Sequence, residues 1–146
     1  MARSHRDVTL DGRRFRVTEQ TEDEFTLVAF LHPVPRHRSH PNGWYRRAET
    51  RDTEMRFKVF HDTDQGLVTN IVVQAARRRD GWADAMVRAL IELYPGRTWT
   101  VESPNEQSGQ LFVKLASRLP GMVVAPVEDT TRPIDDPRRY RTPPTW

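Results

Sequence analysis

The chain of 146 residues contains no cysteine, which excludes disulfides, thiolate metal sites and a cysteine nucleophile, and leaves stability to packing. It is nearly without lysine, since Lys58 and Lys114 are the only two among 23 basic residues. No apolar run approaches the roughly 20 residues that a membrane-spanning helix needs. Residues 1–6 also lack the apolar core of a secretory signal. The expectation is a cytoplasmic protein with no membrane partner. A chain of this length buries roughly 70% of its unfolded surface in one core, so residues 1–127 are expected to form a single domain followed by a tail over 128–146.

Because the net charge of +3 is carried almost wholly by arginine, planar two-pronged contacts to phosphate or carboxylate are favoured. Nucleic acid is one partner that such a composition allows. The basic residues, however, are dispersed among acidic ones, as at Arg13, Arg14, Arg46, Arg47, Arg138 and Arg139, and form no continuous basic stripe.

Phe15, Val17 and Glu19 alternate with polar neighbours, and after the acidic turn 21–23 residues 25–31 read as a second strand of a hairpin. Residues 32–42 hold Pro33, Pro35 and Pro41 with His32, His37 and His40, a composition that continues neither a helix nor a central strand. Residues 55–60 alternate again, and 67–73 form the apolar run of a buried central strand. Past Gly81 the period becomes helical at Ala83, Met86, Val87, Leu90 and Ile91, stopping at Tyr94, Pro95 and Gly96. Trp99 and Val101 mark a short strand, Leu111, Phe112, Leu115 and Leu119 a second helix, and residues 122–127 a last strand. The tail is rich in proline, arginine and aspartate and is expected to be extended or disordered unless Tyr140 and Trp146 dock on the body or on a partner.

The sharpest local feature is the passage from the strand 67–73 through residues 74–80 into the helix. Free N–H groups at a helix start and the positive end of its dipole attract an anion such as pyrophosphate. Gly81 and Ala83 are small where phosphates would approach, and Arg77, Arg78 and Arg79 stand alongside. The run Arg78-Arg79-Asp80-Gly81-Trp82-Ala83 resembles the coenzyme A loop of the GNAT superfamily of N-acetyltransferases, Gln/Arg-x-x-Gly-x-Gly/Ala. A second signature of that family, an asparagine before a helix with an aromatic residue two turns in, is matched by Asn105 and Phe112.

The resemblance implies an α+β fold with a mixed, mostly antiparallel sheet flanked by two main helices. It also implies transfer of an acyl group from acetyl-coenzyme A to an amine, on a small molecule or a protein. Ile71, Val72 and Val73 would hold the acyl carbonyl and pantetheine through their backbone, and Arg78, Arg79, Asp80, Gly81, Trp82 and Ala83 the pyrophosphate, with Asn105 and Phe112 beside the cofactor. Phe112 stands where many family members have a tyrosine that protonates the leaving thiolate, and phenylalanine has no such proton. Asp80 sets a negative charge in the phosphate loop. The family's helices between the first two strands have no room at 21–23, so the acceptor site would come from residues 32–53 or from a second subunit in a homodimer. No general base is identified by the resemblance; Asn70, His61 and Glu54 are candidates by proximity in sequence alone.

Each feature also has a plainer reading. The arginines can be a solvated corner, Asn105 a helix cap without ligand, Phe112 core, and Trp82 an inward-packing first-turn residue. His32, His37 and His40 match no standard zinc spacing, so no metal is expected. Asn42, Gly43, Trp44, Tyr45, Arg46 and Arg47 can stack on a base or simply form a turn with half-buried aromatics. Ser103 and Ser108 lack a neighbouring histidine for hydrolase chemistry. The alternatives to the enzyme are a non-catalytic protein that keeps the GNAT fold for binding or assembly, and a small basic nucleic-acid binder.

Overall fold

The computed structural model describes residues 5–10, 12–34, 53–73, 81–144 and 146. Its elements run β1 (His5–Leu10), β2 (Arg13–Glu22), β3 (Thr26–Pro33), β4 (Glu54–Phe60), β5 (Gln65–Val72), α1 (Trp82–Leu93), β6 (Thr98–Val101), α2 (Glu106–Arg118), β7 (Val127–Glu128) and β8 (Tyr140–Arg141). The first six strands form one sheet in sequential order, antiparallel from β1 to β5 and parallel between β5 and β6. The chain is therefore α+β, with a mostly antiparallel sheet and two helices. The parallel step is the one that needs a crossover, which α1 supplies.

One face of the sheet is apolar because strand residues alternate sides. Phe15 and Val17 on β2, Leu27, Ala29 and Leu31 on β3, and Met55, Phe57 and Val59 on β4 are all buried. Their cross-strand partners, such as Val17 with Leu31 and Leu31 with Met55, place them on one side. Met86, Val87 and Leu90 of α1 and Phe112 and Leu115 of α2 complete the same cluster. Trp99, with no exposed surface, seals it: its ring lies where a Cβ on Gly66 would stand, 2.5 Å from that position.

Local chemistry sets the turns. Asp23 Oδ1 accepts hydrogen bonds from the Phe25 and Thr26 amides at 2.8 and 2.7 Å, which closes the β2–β3 connection and lowers the Asp23 pKa. Arg97 Nη1 donates to the carbonyls of Phe60, Thr63 and Gln65 at 2.8, 2.9 and 3.2 Å, tying the β4–β5 turn to the start of β6. Helix α1 ends in front of Pro95 and Gly96, the latter at φ 81°.

Two sequence expectations are corrected. The hairpin is not the start of the sheet, because β1 precedes it; Val8 pairs with Phe15 and Asp7 with Arg16. Its six residues carry too few apolar positions to stand out. The last strand expected over 122–127 is reduced to a bridge at Val123, parallel to Trp99, and to the two residues of β7, which pair with β8 instead.

Replacing Gly66 with alanine is expected to lower stability by about 3 kcal/mol, an overpacking effect, measured by urea unfolding. The Asp7 carboxylate accepts from Arg16 and Arg14, at 2.8 and 2.6 Å, and is held at a pKa of about 2 against 3.8 for the free side chain, mainly by the Arg16 hydrogen bond and against some desolvation. A folded pKa below the unfolded one means stability that is present above the unfolded value and lost as pH falls through the folded one. The stability difference between the wild type and Asp7→Asn is therefore expected to be constant above about pH 5 and to shrink towards about pH 2. Urea midpoints across that range check it.

Candidate ligand-binding cleft

Strands β5 and β6 pair only from Gln65 with Thr98 to Val68 with Val101. The Glu102 amide donates to the Val68 carbonyl at 2.8 Å, and beyond that rung the strands part. Two local features separate them. On β5, Arg56 faces Asn70 while Phe57 faces Val68, so Thr69 is an extra residue, and a bulge of this kind bends its strand. On the other side the chain leaves β6 through Ser103, whose φ of 46° turns it sharply towards Pro104 and α2.

The opening is a cleft of about 1010 Å³. One wall is β5 from Thr69 to Val72 with Val73; the other is a face of α2 carrying Gln107, Gln110, Leu111 and Lys114, residues at helical spacing. Glu102 and Ser103 lie at its base, and Ala83 brings the first turn of α1 to its rim. Both helices thus begin at the cleft, each with the partial positive charge of a helix N-terminus. Asn105 caps α2 through a reciprocal pair, accepting from the Ser108 amide at 2.9 Å while the Asn105 amide donates to Ser108 Oγ at 3.0 Å.

Of the residues singled out in the sequence, Asn70, Ile71, Val72, Val73, Ala83 and Asn105 come together on this cleft. Gly81 precedes α1 in the left-handed region at φ 78°, which glycine tolerates. Trp82 turns to the protein, edge-on to Phe15 at 6.0 Å, with the Arg13 guanidinium 4.5 Å from its ring centroid. Phe112 has no exposed surface and belongs to the core. Arg78, Arg79 and Asp80 lie outside the described residues, as do Arg77, His37, His40 and the run from Asn42 to Arg47.

The candidate bases separate. Asn70 is exposed on the cleft wall. Glu54 is cross-strand from Val72 at the same end of the sheet, but its carboxylate lies beside Arg56 at 3.8 Å and is not on the cleft wall. His61 lies in the turn before β5, at the opposite end of that strand, with its Nε2 3.2 Å from Glu22. His32 is in β3. Among the described residues, no three His, Asp or Glu side chains gather where they could hold a metal ion.

Sequence reasoning missed Glu102 and Lys114, the two charged side chains on the described walls. Their signal was present in part. Glu102 directly follows the strand that feeds α2, and Lys114 falls at i+7 from Gln107 beside the apolar stripe. Arg13 was also missed as a neighbour of α1: its Nη1 lies 3.9 Å from where a Cβ on Gly81 would stand. A contact between β2 and the start of a helix so distant in sequence has no local signature.

Comparison with models of protein families, with curated proteins and with solved structures finds no match to the chain. Among the described residues, no helix is long and apolar enough to cross a membrane.

Asn105 separates the cap from a ligand contact. Asn105→Asp keeps the cap and is expected to leave stability nearly unchanged, whereas Asn105→Ala is expected to cost about 1 kcal/mol, both measured by urea unfolding. A ligand contact through the amide would show as an equal loss of acetyl-coenzyme A affinity in the two variants.

Proposed function

We propose that the chain is a GNAT-fold protein that binds acyl-coenzyme A and transfers the acyl group to an amine. The observation that carries this reading is the parting of two parallel strands after Val68, which leaves the β5 backbone from Thr69 to Val72 facing a cleft where two helices begin. Unpaired strand amides and carbonyls can bind a peptide-like chain, and pantetheine is one. Helix starts favour the phosphates. A volume of about 1010 Å³ lies at the upper end of the range for cofactor clefts. Ala83 from the first motif and Asn105 from the second line this cleft, which supports the reading.

Acetyl-coenzyme A, when bound, supplies the acyl group as a thioester. The backbone of Ile71, Val72 and Val73 would align that end of the cofactor, and the start of α1 its pyrophosphate. Glu102, at the base where the strands part, is the carboxylate on the described walls that can accept the proton of the attacking amine, directly or through water. Phe112 donates nothing, being apolar and wholly buried. That burial favours a second reading, a non-catalytic protein that retains the fold and the cleft for binding or assembly.

Thermal unfolding with and without acetyl-coenzyme A tests binding, since a ligand at 100 times its Kd stabilises by about 2.7 kcal/mol. A clear rise in the midpoint is expected; none at millimolar ligand would overturn the proposal. Against a panel of amines, Glu102→Gln is expected to lower kcat about 100-fold with affinity for acetyl-coenzyme A retained. A wild type that binds but acylates no amine would favour the non-catalytic reading.

A further inference from the structure

The C-terminal segment, expected to be extended or disordered unless Tyr140 and Trp146 dock, is held on the body at Tyr140 and Thr142. Tyr140 is 5% exposed, and its ring occupies the space of a Cβ on Gly109, whose position would lie within 2.7 Å of three ring carbons. A glycine in a helix interior costs stability relative to alanine; here it gives α2 room for an aromatic ring. Arg139 holds Glu128 at 2.9 Å across the β7–β8 pair, and the intervening turn is closed by Arg132 with Asp129 and by Arg138 with Asp136, both at 3.1 Å. Two residues beyond Tyr140, Thr142 bonds to two residues that line the cleft, Val101 and Ser103. Its Oγ1 donates to the Val101 carbonyl at 3.1 Å and accepts from the Ser103 amide at 3.1 Å.

Those two bonds bracket the turn that opens the cleft. Among the described residues, Ser103 is the one non-glycine residue with positive φ, at 46°. A side chain holds that conformation only where its surroundings impose it. Ser103 lies between Glu102 and the Asn105 cap, so a change in its φ swings α2 relative to the end of β6.

We propose that Thr142 is a positioning residue of the cleft: the C-terminal segment is a strap, anchored by Tyr140 on Gly109, that holds Ser103 left-handed and thereby sets the distance between the two walls. Without the hydroxyl, the Ser103 amide loses its acceptor and the residue relaxes to negative φ, carrying the Asn105 cap with it. The effect on ligand affinity rests on the acyl-coenzyme A reading. The effect on the backbone does not.

The test compares Thr142→Val, Thr142→Ser and the double variant Ser103→Gly with Thr142→Val. Amide hydrogen exchange over residues 103–108 and the Kd for acetyl-coenzyme A are both read. Thr142→Val removes both bonds and is expected to speed exchange and to weaken binding about tenfold each, the worth of the bond from the Ser103 amide that holds the turn. Thr142→Ser keeps the hydroxyl and is expected to change neither. Glycine adopts positive φ without a strap, so adding Ser103→Gly is expected to restore affinity, which a merely stabilising contact would not produce. Unchanged exchange in Thr142→Val, or a loss of affinity that Ser103→Gly does not restore, overturns the proposal. If the wild type itself binds no acetyl-coenzyme A, the ligand reading fails while exchange still decides the strap. Gly109→Ala checks the anchor: it is expected to displace Tyr140 and open Arg138, Arg139 and Arg141 to trypsin, and persistent protection would contradict the seat.

Discussion

The contact between the Trp99 ring and the bare backbone of Gly66 is the constraint on which the rest of the molecule depends. Trp99 reaches Phe57 of β4 and Tyr94 at the end of α1, with ring centroids 5.8 and 6.3 Å away. Its backbone accepts from Val124 and donates to Met122, so the segment after α2 is pinned along the far side of β6. One residue therefore registers the parallel strand pair, the crossover helix and the return from α2. Among the described residues the buried indole N–H has no hydrogen-bond partner; a buried donor left unpaired costs on the order of 1–3 kcal/mol. At this site the bare backbone of Gly66 lets a very large side chain lie flush on the strand.

A pair fixed so firmly at its base can afford to come apart at its end. The bulge at Thr69 and the left-handed Ser103 divert β5 and β6 in different directions within a few residues of Val68. The cleft is thus a product of sheet geometry rather than of a loop. Because the crossover helix must start where β5 ends and α2 must start where β6 ends, both N-termini arrive at the same opening. The strap from Tyr140 to Thr142 then acts on the less constrained of the two strand ends.

Much of this was legible in the sequence, and the reasons differ by element. The change from alternating to helical period at Gly81, the stops at Tyr94 and Pro120, and the cap at Asn105 are local signals, and the helices fall within a residue or two of them. The α+β order followed from the same signals. β1 was not legible because Arg6, Asp7 and Thr9 outnumber its apolar residues. The seat of Tyr140 could not be read either, since Gly109 and Tyr140 acquire meaning only when brought together across more than thirty residues. On the cleft, Ile71, Val72 and Val73 had been singled out through the motif that flanks them, while Glu102 and Lys114 had no motif to point to them. His61 illustrates the converse, a titratable residue near the strand in sequence and at its far end in space.

Binding of acyl-coenzyme A between the parted ends of β5 and β6, at the starts of the two helices, is the proposal on which the functional reading rests. Its most direct test is the amide NMR spectrum of the chain titrated with acetyl-coenzyme A. Shifts are expected to concentrate at residues 69–73, 81–83 and 102–108, with β1 and the turn around His61 unmoved. Saturating shifts confined to β1, β2 or the His61 turn, or no shifts at millimolar ligand, would contradict it.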